Sequence, residues 1–381
     1  MDWLVIGAGL TGVAIAYELQ RQGAKVQLVD PQQPASQASR FSYGGAPFWS
    51  ASRPAIADLF AESQQIYADL SAETGLTLGS DRQILLTCSH VDHIAIAQDL
   101  FATLAQPPQL LDRTEAIAQE PLLAEGNTVA AFVNSHPLYD PETVVQAYRQ
   151  AFLAIGGQVC CDRLKAIHPQ VQGSLGTYAA DRLVMATGAS SYQWARSLGY
   201  RWPLYFSHAE ILETPPLDLR LQAIVMPALQ QRFQIEQQAG QYAWDSDHPP
   251  AEFVSILDAG AVQLSDRRYR LGQISRLAAS PADQLSPTAS EQSIRSALAP
   301  VLPAVSVLPG DRHHCCVSFS TDGLPIAGNT PEHPQIYWFT GVSGPFAWVP
   351  GLARALAQTW LQAAGDNGIW SALSPQRWMS P

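Results

Sequence analysis

The sequence has little cysteine, few basic residues and no long apolar run, and each shortage excludes classes of protein. Its five cysteines among 381 residues are odd in number and include two adjacent pairs. They form no disulfide framework and favour a reducing, cytoplasmic location. The 22 Lys and Arg against 33 Asp and Glu give a formal net charge of −11. This acidic balance argues against nucleic acid or an anionic membrane as a partner.

No segment has the composition of a transmembrane helix, because glycines interrupt the apolar residues near the N-terminus. A signal peptide is also not expected, since Asp2 stands where basic residues usually begin one. We find no internal repeat and no long low-complexity tract. The length is sufficient for two domains and a large core.

The first 30 residues contain a strand–turn–helix–strand pattern. Gly7, Gly9 and Gly12 have G-x-G-x-x-G spacing between an apolar run and a helical pattern, and a second strand pattern ends at Asp30. Such glycines let the backbone approach a pyrophosphate at a helix N-terminus. An acid about twenty residues further on can bind ribose hydroxyls. The pattern predicts dinucleotide binding; the alternative is a βαβ unit that needs only tight packing.

The next segment is rich in hydroxyl residues and ends in two glycines. Its polar candidates for phosphate contact are Ser36, Ser39, Arg40 and Ser42. Gly44 and Gly45 would let the backbone lie close to a flat ring system. The alternative interpretation is a solvated turn.

Periodicity predicts the remaining elements. Helices are expected over 54–74 and 91–105, from Pro141 with Asp140 as its cap to the glycines at 156–157, and over roughly 350–363. Strands are expected at 83–88, 158–161, 164–167, 183–186, 312–320 and 336–340. Alternating segments at 209–213, 223–226, 232–235, 253–257 and 270–274 predict a mostly antiparallel sheet.

Several loose motifs occur together in a specific order along the whole chain. GAGLTG with Asp30 comes first, then Ser39-Arg40 before Gly44-Gly45, Asp140-Pro141, ATGA at 186–189, TDGLPIAG at 321–328 and TGVSG at 340–344. In this order the chain resembles the FAD-dependent D-amino-acid oxidase superfamily, nearest to the glycine oxidase and monomeric sarcosine oxidase types.

The resemblance implies an α/β fold: a Rossmann-type FAD-binding domain with an interleaved, mostly antiparallel α+β substrate domain. The implied FAD-binding domain comprises 1–75, 136–200 and 310–381, and the substrate domain 76–135 and 201–309. Carried over by position, the residues implied to bind FAD are Gly7, Gly9, Leu10, Thr11, Gly12, Asp30, Ser39, Arg40, Gly44, Gly45, Leu164, Thr187, Gly188, Cys315, Gly341, Ser343, Gly344, Pro345 and Phe346.

The implied activity is oxidation of a C–N bond of an amine or amino acid, with hydride transfer to flavin N5 and oxygen or another compound as final acceptor. Two alternatives stay open: a flavoprotein of the same fold acting on a non-amine substrate, and a flavin-binding protein that has lost catalysis. A dehydrogenase using only NAD is a minor further option.

Cys315 stands seven residues before Asp322, where sarcosine oxidase relatives attach FAD through a thioether. The alternative is a buried free thiol. His313, His314, Cys315 and Cys316 are consecutive, but neighbouring strand residues point to opposite faces. We therefore expect no metal site there.

Two departures from the family concern the substrate. Val317 stands where glycine-oxidase-like relatives have a carboxylate-binding arginine, and Trp348 where sarcosine oxidase relatives have a lysine. A simple glycine or sarcosine substrate is therefore not expected. Replacement cations are Arg53, His208, Arg312 and His314, and aromatic pocket candidates are Trp49, Tyr205, Tyr242, Phe346 and Trp348. For every one of these cations and aromatic residues, the alternative is a structural or surface role. The sequence identifies no catalytic residue.

Overall fold

The chain forms two large β-sheets, one of which lies between layers of helix and a small antiparallel sheet. The computed structural model describes residues 2–32, 37–51, 53–229, 254–279, 286–362 and 369–379. The strands are β1 (Asp2–Ile6), β2 (Lys25–Asp30), β3 (Gly79–Ser80), β4 (Gln83–Cys88), β5 (Gln109–Asp112), β6 (Ala130–Ser135), β7 (Leu138–Tyr139), β8 (Gln158–Cys161), β9 (Leu164–Ala166), β10 (Val171–Gly173), β11 (Thr177–Tyr178), β12 (Arg182–Met185), β13 (Leu204–Glu213), β14 (Ile224–Pro227), β15 (Val254–Leu257), β16 (Ala261–Gln263), β17 (Tyr269–Ala278), β18 (Asp311–Ser320), β19 (Ile326–Thr330) and β20 (His333–Thr340).

The helices alternate with strands in the N-terminal third and then become sparser. They are α1 (Leu10–Arg21), α2 (Ala38–Phe41), α3 (Pro54–Thr74), α4 (Asp92–Phe101), α5 (Arg113–Gln119), α6 (Pro141–Ala154), α7 (Ser191–Ser197), α8 (Pro287–Leu298), α9 (Pro303–Ser306), α10 (Pro345–Gln362) and α11 (Ile369–Leu373). Among the helices that the structure describes, none is both long enough and apolar enough to cross a bilayer.

The first sheet has the strand order β19-β20-β12-β1-β2-β8. Neighbouring strands within this sheet are parallel, except that β19 runs antiparallel to β20. Both faces are covered, so β1 is apolar on both sides. Trp3 and Val5 pack in one core with α1, α3, α6 and α10. Leu4 and Ile6 pack in a second core under β10 and α7.

The second sheet has the order β18-β13-β17-β16-β14-β4-β6-β5, with β15 also paired to β17. Its pairs are antiparallel except β14 with β4. Leu212 and Leu271 of this sheet pack in one core with Ile294 and Leu298 of α8. The predicted fold class, a Rossmann-type sheet with a mostly antiparallel second sheet, is confirmed.

Individual elements agree with the sequence to different degrees. The helix at 54–74 and the strand at 83–88 have the predicted bounds, and the Oδ1 of Asp140 caps α6 by accepting the Thr143 N–H at 2.8 Å. The segment 232–235 lies outside the described residues. Strand β18 joins the second sheet, whereas the predicted boundary at 310 assigns it to the FAD-binding domain; the division into domains stays a prediction.

The last long helix begins at Pro345, five residues before the predicted start. Pro350 therefore lies inside it, although proline lacks the N–H that would bond to the Phe346 carbonyl four residues earlier. The hydroxyl of Tyr67 donates to that carbonyl at 3.0 Å. A contact from α3 thus replaces the missing helical hydrogen bond, which the local sequence does not reveal.

Candidate functional site

The predicted glycine motif forms a tight turn between β1 and α1. Gly7 has a φ of +102°, and a Cβ there would lie 2.3 Å from the Ala186 carbonyl oxygen. A Cβ on Gly12 would lie 1.7 Å from the Gly7 oxygen. Both positions therefore exclude a side chain, and the close packing brings the N-terminus of α1 to the carboxyl end of the parallel strands.

Two side chains predicted to contact the cofactor lie at this turn. Asp30 Oδ2 accepts the Ala8 N–H at 2.7 Å, and Ser39 Oγ accepts the Leu10 N–H at 3.0 Å. Thr11, half-buried in the first turn of α1, follows directly. A carboxylate oxygen can accept more than one hydrogen bond, so Asp30 keeps capacity for a ribose hydroxyl.

Leu164 lies close to the same acid through the backbone. The Asp162 N–H donates to the Asp30 carbonyl at 3.2 Å, and Leu164 begins β9 two residues later. Its side chain is half-buried against the core under β10 and α7. The structure therefore brings Leu164 near the residue predicted to bind ribose.

Arg40, predicted to lie near phosphate, has ion pairs with two carboxylates. Its Nε lies 3.2 Å from Glu142 Oε1, and its Nη2 lies 3.2 Å from Glu213 Oε1. Arg268 pairs with the same two carboxylates at 2.9 Å each. The Nη1 atom of Arg40 is buried and has no hydrogen-bond partner among the described residues. Its contact with phosphate stays a prediction.

Glu213 also binds a third guanidinium, that of Arg270. Arg270 Nε lies 2.9 Å from Glu213 Oε2, its Nη1 donates to the Ser42 carbonyl, and its side chain is 0% exposed. Burial alone would raise the pKa of Glu213, but the pairs with Arg270, Arg268 and Arg40 lower it overall. Burial also lowers the pKa of Arg270, against the opposing effect of Glu213.

Arg270 presents one polar atom that the described protein does not satisfy. Its Nη2 is buried without a hydrogen-bond partner, just beneath the segment that leads from Ser42 to Gly44. A buried unpaired donor is costly, so such an atom marks a position for a missing acceptor. Sequence reasoning missed this residue; its signal is an arginine inside an otherwise buried strand.

Gly44 and Gly45 are held in a crowded position against β7. Gly44 has a φ of +79°, and its Cβ would lie 1.9 Å from the Tyr139 carbonyl oxygen. A Cβ on Gly45 would lie 2.4 Å from His136 Nε2. Neither position has room for a side chain, as expected for a backbone segment that must approach another group closely; the contact with a flat ring stays a prediction.

His136 is a buried neighbour of this pair that the sequence analysis did not single out. Trp49 Nε1 donates to its Nδ1 at 3.1 Å, so the neutral ring has its proton on Nε2. Burial lowers the pKa of His136 to about 3. Trp49, a predicted pocket candidate, lies in an apolar core with residues of β4 and β6.

The loop before α10 brings the other predicted flavin contacts together. Gly341 and Gly344 have φ values of +70° and +58°, which glycine adopts at no steric cost. Ser343 is half-buried, Pro345 begins α10, and Phe346 is buried in the core of the first sheet. The first N–H groups of α10 are thus positioned to attract negative charge.

Thr187 and Gly188 connect this loop to the second sheet. The Gly188 carbonyl accepts hydrogen bonds at 3.3 Å from the hydroxyls of Thr340 and Ser318. Thr187 Oγ1 lies 2.9 Å from Ser191 Oγ. The end of β12 therefore joins β20 and β18 beside the glycine turn.

Strands β13 and β18 pair residue by residue and so separate the remaining candidates onto two faces. The Val317 face includes Tyr205, Ser207, Ala209, Cys315, Val317 and Phe319 and continues through Ile211, His313 and Glu213. The Glu210 face consists of Phe206, His208, Glu210, Arg312, His314 and Cys316. His208, Arg312 and His314 are thus not brought together with Val317 or Cys315.

The Val317 face continues to the cofactor side of the molecule. Phe41 of α2 stacks on His313, with ring centroids 4.4 Å apart, and His313 alternates in phase with Cys315. Burial lowers the pKa of His313 below its ordinary value, against the opposing effect of the Glu213 carboxylate. Because Gly44 follows α2 closely in sequence, the His313 end of this face lies beside the segment that leads to the glycine pair.

The other two substrate candidates lie elsewhere. Arg53 is exposed at the start of α3, where its carbonyl accepts the N–H groups of Ile56 and Ala57. Trp348 packs edge-on against Phe60, with centroids 5.4 Å apart. Tyr242 lies outside the described residues, as does Ser36.

The features described so far fit FAD. The turn at Gly7, Gly9 and Gly12 has glycine at each position where the backbone would approach a pyrophosphate. Asp30 lies beside it, as a ribose contact would require. The unpaired Nη2 of Arg270, next to the segment that leads from Ser42 to Gly44, could donate to an acceptor on a group bound there.

Comparison with known proteins supports this fit. The chain is 24% identical over 221 residues to the monomeric sarcosine oxidase of Bacillus sp. (strain B-0618), covering 53% of this chain and 55% of that protein. The matched part thus spans little more than half of that relative. Glycine oxidase from Geobacillus kaustophilus superposes with a TM-score of 0.79 at 17% identity, covering 100% of this chain and 99% of that one.

A dehydrogenase has the same fold. L-proline dehydrogenase from P. horikoshii superposes with a TM-score of 0.76 at 18% identity, covering 99% of this chain and 97% of that one. The family model described as "DAO: FAD dependent oxidoreductase" matches residues 2–359. The chain therefore belongs to the DAO family of FAD-dependent oxidoreductases.

Proposed function

We propose that this protein oxidises the C–N bond of an amine or amino acid to C=N, with the hydride passing to flavin N5. The observation that carries the proposal is the turn at Gly7–Gly12, to which Asp30 is hydrogen-bonded and which suits a dinucleotide. The family match over residues 2–359 identifies that dinucleotide as FAD. The sarcosine oxidase relative and the glycine oxidase likeness support an amine or amino acid as substrate.

Bound FAD supplies the two-electron acceptor, so the protein needs to bind, orient and shield the substrate. Gly7, Gly9 and Gly12 would hold the pyrophosphate, and Gly44 and Gly45 the ring. The N–H groups at the start of α10 would stabilise negative charge at the pyrimidine edge. An amine that binds neutral requires no strong base: the proton left on nitrogen after hydride loss passes to solvent.

The test is anaerobic titration of the purified yellow protein with a panel of amines and amino acids, monitored by loss of flavin absorbance. We expect at least one secondary or primary amine to reduce the flavin fully. A protein that will not take up FAD, or flavin that no amine reduces, would contradict the proposal. Reduction only by a non-amine metabolite would favour the second candidate, a same-fold enzyme acting on another bond; Val317 and Trp348 are the observations that favour it.

The flavin linkage is tested by acid precipitation. Cys315 is buried on the Val317 face, the position expected for a thioether. Flavin retained in the pellet, and released in a Cys315→Ser variant, would establish the covalent link. Flavin in the supernatant of the wild-type protein would establish a free thiol.

The electron acceptor and the location are part of the proposal. The relatives include both an oxidase and a dehydrogenase, so peroxide formation in air distinguishes oxygen from another acceptor. None of the five cysteines is in a disulfide bond, which supports the proposal of a reducing, cytoplasmic location.

A further inference from the structure

A cavity of about 290 Å³ lies where β9, the end of α7 and the start of β20 meet. The residues that line it include Lys165, Ile167, His168, Trp194, Ser197 and His333. Ligand pockets begin at about 300 Å³, so this volume suits a molecule with one or two rings. The cavity has no part in the proposed function.

The cavity is at the opposite end of the first sheet from the glycine turn. His333 begins β20, which runs parallel to β12 and, through it, to β1. The glycine turn follows Ile6, the last residue of β1, so it lies at the carboxyl ends of these strands and His333 lies at their amino ends. At the far end of β20, Thr340 donates to the Gly188 carbonyl. At about 3.3 Å per residue, the length of β20 separates the two ends by roughly 23 Å.

Three basic side chains line this one cavity. The rings of His168 and His333 lie 4.8 Å apart, centroid to centroid, and Lys165 of β9 is the third basic group. Burial lowers the pKa of His333 and the neighbouring His168 lowers it further, against the opposing effect of Glu332. Glu332 is exposed, and among the described residues no carboxylate lines the cavity. An anion bound there would therefore meet basic groups only.

A basic cavity is unusual on this chain. The formal net charge is −11, and the sequence has two lysines, Lys25 and Lys165. Lys25 is exposed, with its Nζ 3.7 Å from Oδ2 of Asp2. Salt screens exposed charges that are more than about 8–10 Å apart. The basic groups in the cavity therefore attract a small anion although the protein as a whole is acidic.

The rest of the lining is largely apolar. Ile167 is buried, and Trp194 and Leu198 pack against the core to which it belongs. The half-buried indole of Trp194 offers an aromatic surface, against which another ring packs at about 4.5–7 Å. The Ser197 hydroxyl donates to the Trp194 carbonyl at 2.7 Å, so its proton is already used. The cavity thus combines an aromatic surface with basic groups.

We propose that this cavity is a second small-molecule site, separate from the cofactor, and that it binds an aromatic carboxylate. The ring would pack on Trp194, and the carboxylate would lie at Lys165, His168 and His333. The inference goes beyond the proposed function and does not depend on it.

The two lysines allow a direct test on the FAD-loaded protein. Reductive methylation with carbon-13-labelled formaldehyde keeps the charge of both and gives each its own NMR signals. The probe is cinnamate, and cinnamamide is its neutral counterpart. We expect cinnamate to move the Lys165 signals until they saturate and to leave those of Lys25 unchanged; cinnamamide should bind at least about fivefold more weakly. Lys165 signals that do not move, or that move no more than those of Lys25, overturn the inference.

Two matched lysine variants and a filled cavity complete the test, with binding followed by the ring signals of His168 and His333. Lys165→Gln should weaken cinnamate binding at least about fivefold and leave cinnamamide binding unchanged, whereas Lys25→Gln should bind cinnamate like the wild-type protein. Ser197→Trp fills the cavity from an exposed position and should abolish binding of both ligands. Wild-type cinnamate affinity in Lys165→Gln overturns the inference. A change in flavin absorbance without movement of the Lys165 signals would place cinnamate at the cofactor instead and also overturns it.

Discussion

The buried guanidinium of Arg270 lies 2.9 Å, Nε to Oε2, from the carboxylate of Glu213, which two further arginines share. We expect Glu213→Gln to cost about 3–5 kcal/mol of unfolding free energy, because it leaves three guanidiniums clustered without their shared anion. Arg270→Met should cost less, since Glu213 keeps Arg40 and Arg268. Urea unfolding of both single variants and the double variant measures the coupling.

A matched control is Asp218→Asn, which breaks the exposed pair with Arg267. An exposed ion pair contributes about 0–1 kcal/mol, so this variant should unfold like the wild-type protein. Additive effects of the two Glu213–Arg270 substitutions would show that the pair is not a unit.

His136 should make the folded protein sensitive to mild acid. Its folded pKa of about 3 lies below the unfolded value near 6.5. The unfolded chain therefore binds the proton more readily, and stability should fall as the pH decreases from 6.5 towards 3. The slope contributed by this group approaches about 1.4 kcal/mol per pH unit.

His136→Asn should remove that part of the pH dependence, because asparagine can accept from Trp49 without titrating. The measurement is urea unfolding at several pH values between 3 and 7. His136→Phe serves as the comparison, since it lacks the acceptor and should lose stability at neutral pH as well. An unchanged slope in the asparagine variant would exclude His136 as the titrating group.

Tyr67 and Pro350 should be coupled through the Phe346 carbonyl. Tyr67→Phe leaves this buried oxygen unpaired and should cost about 1–3 kcal/mol. Adding Pro350→Ala restores an N–H four residues after Phe346 and should recover part of the loss. The unfolding free energies of the two single variants and the double variant measure this coupling; equal losses from Tyr67→Phe with either residue at 350 would refute it.

Gly12 and Gly9 should differ in what a methyl group disrupts. A Cβ on Gly12 would lie 1.7 Å from a backbone oxygen, so Gly12→Ala should lose bound FAD and lower stability by at least about 1 kcal/mol. A Cβ on Gly9 would meet only the Ser39 hydroxyl at 3.0 Å, so Gly9→Ala should keep the fold and weaken FAD binding. FAD content after gel filtration and urea unfolding of the apoproteins give the comparison. Two variants with wild-type FAD content would contradict the role of the turn.

The sequence predicts local structure well where the information is local. The glycine spacing, the cap at Asp140 and the periodicity of 54–74 each depend on residues a few positions apart, and the structure agrees with all three. The predicted start of α10 was wrong because a proline is typical of a helix start. The hydrogen bond that Pro350 cannot make to the Phe346 carbonyl is replaced by one from Tyr67, 279 residues before Phe346.

The site was predicted unevenly for the same reason. Asp30 and Ser39 belong to motifs that the sequence shows, and both side chains lie at the glycine turn as predicted. Arg270 and His136 matter because of residues distant in sequence, Glu213 for one and Trp49 for the other. No motif signals a partner in another element, so such residues are recognised only after folding.

The pairing of β13 with β18 has a consequence for how this chain can change over time. β18 is at the edge of its sheet and pairs only with β13. A shift in its register is therefore opposed by the hydrogen bonds to one neighbouring strand only. Removing a single residue from β18 would exchange its two faces beyond that point and turn imidazole and guanidinium groups towards the region around Gly44 and Gly45. Removing two would restore the alternation. Lengths of this strand among descendants should therefore differ by even numbers of residues.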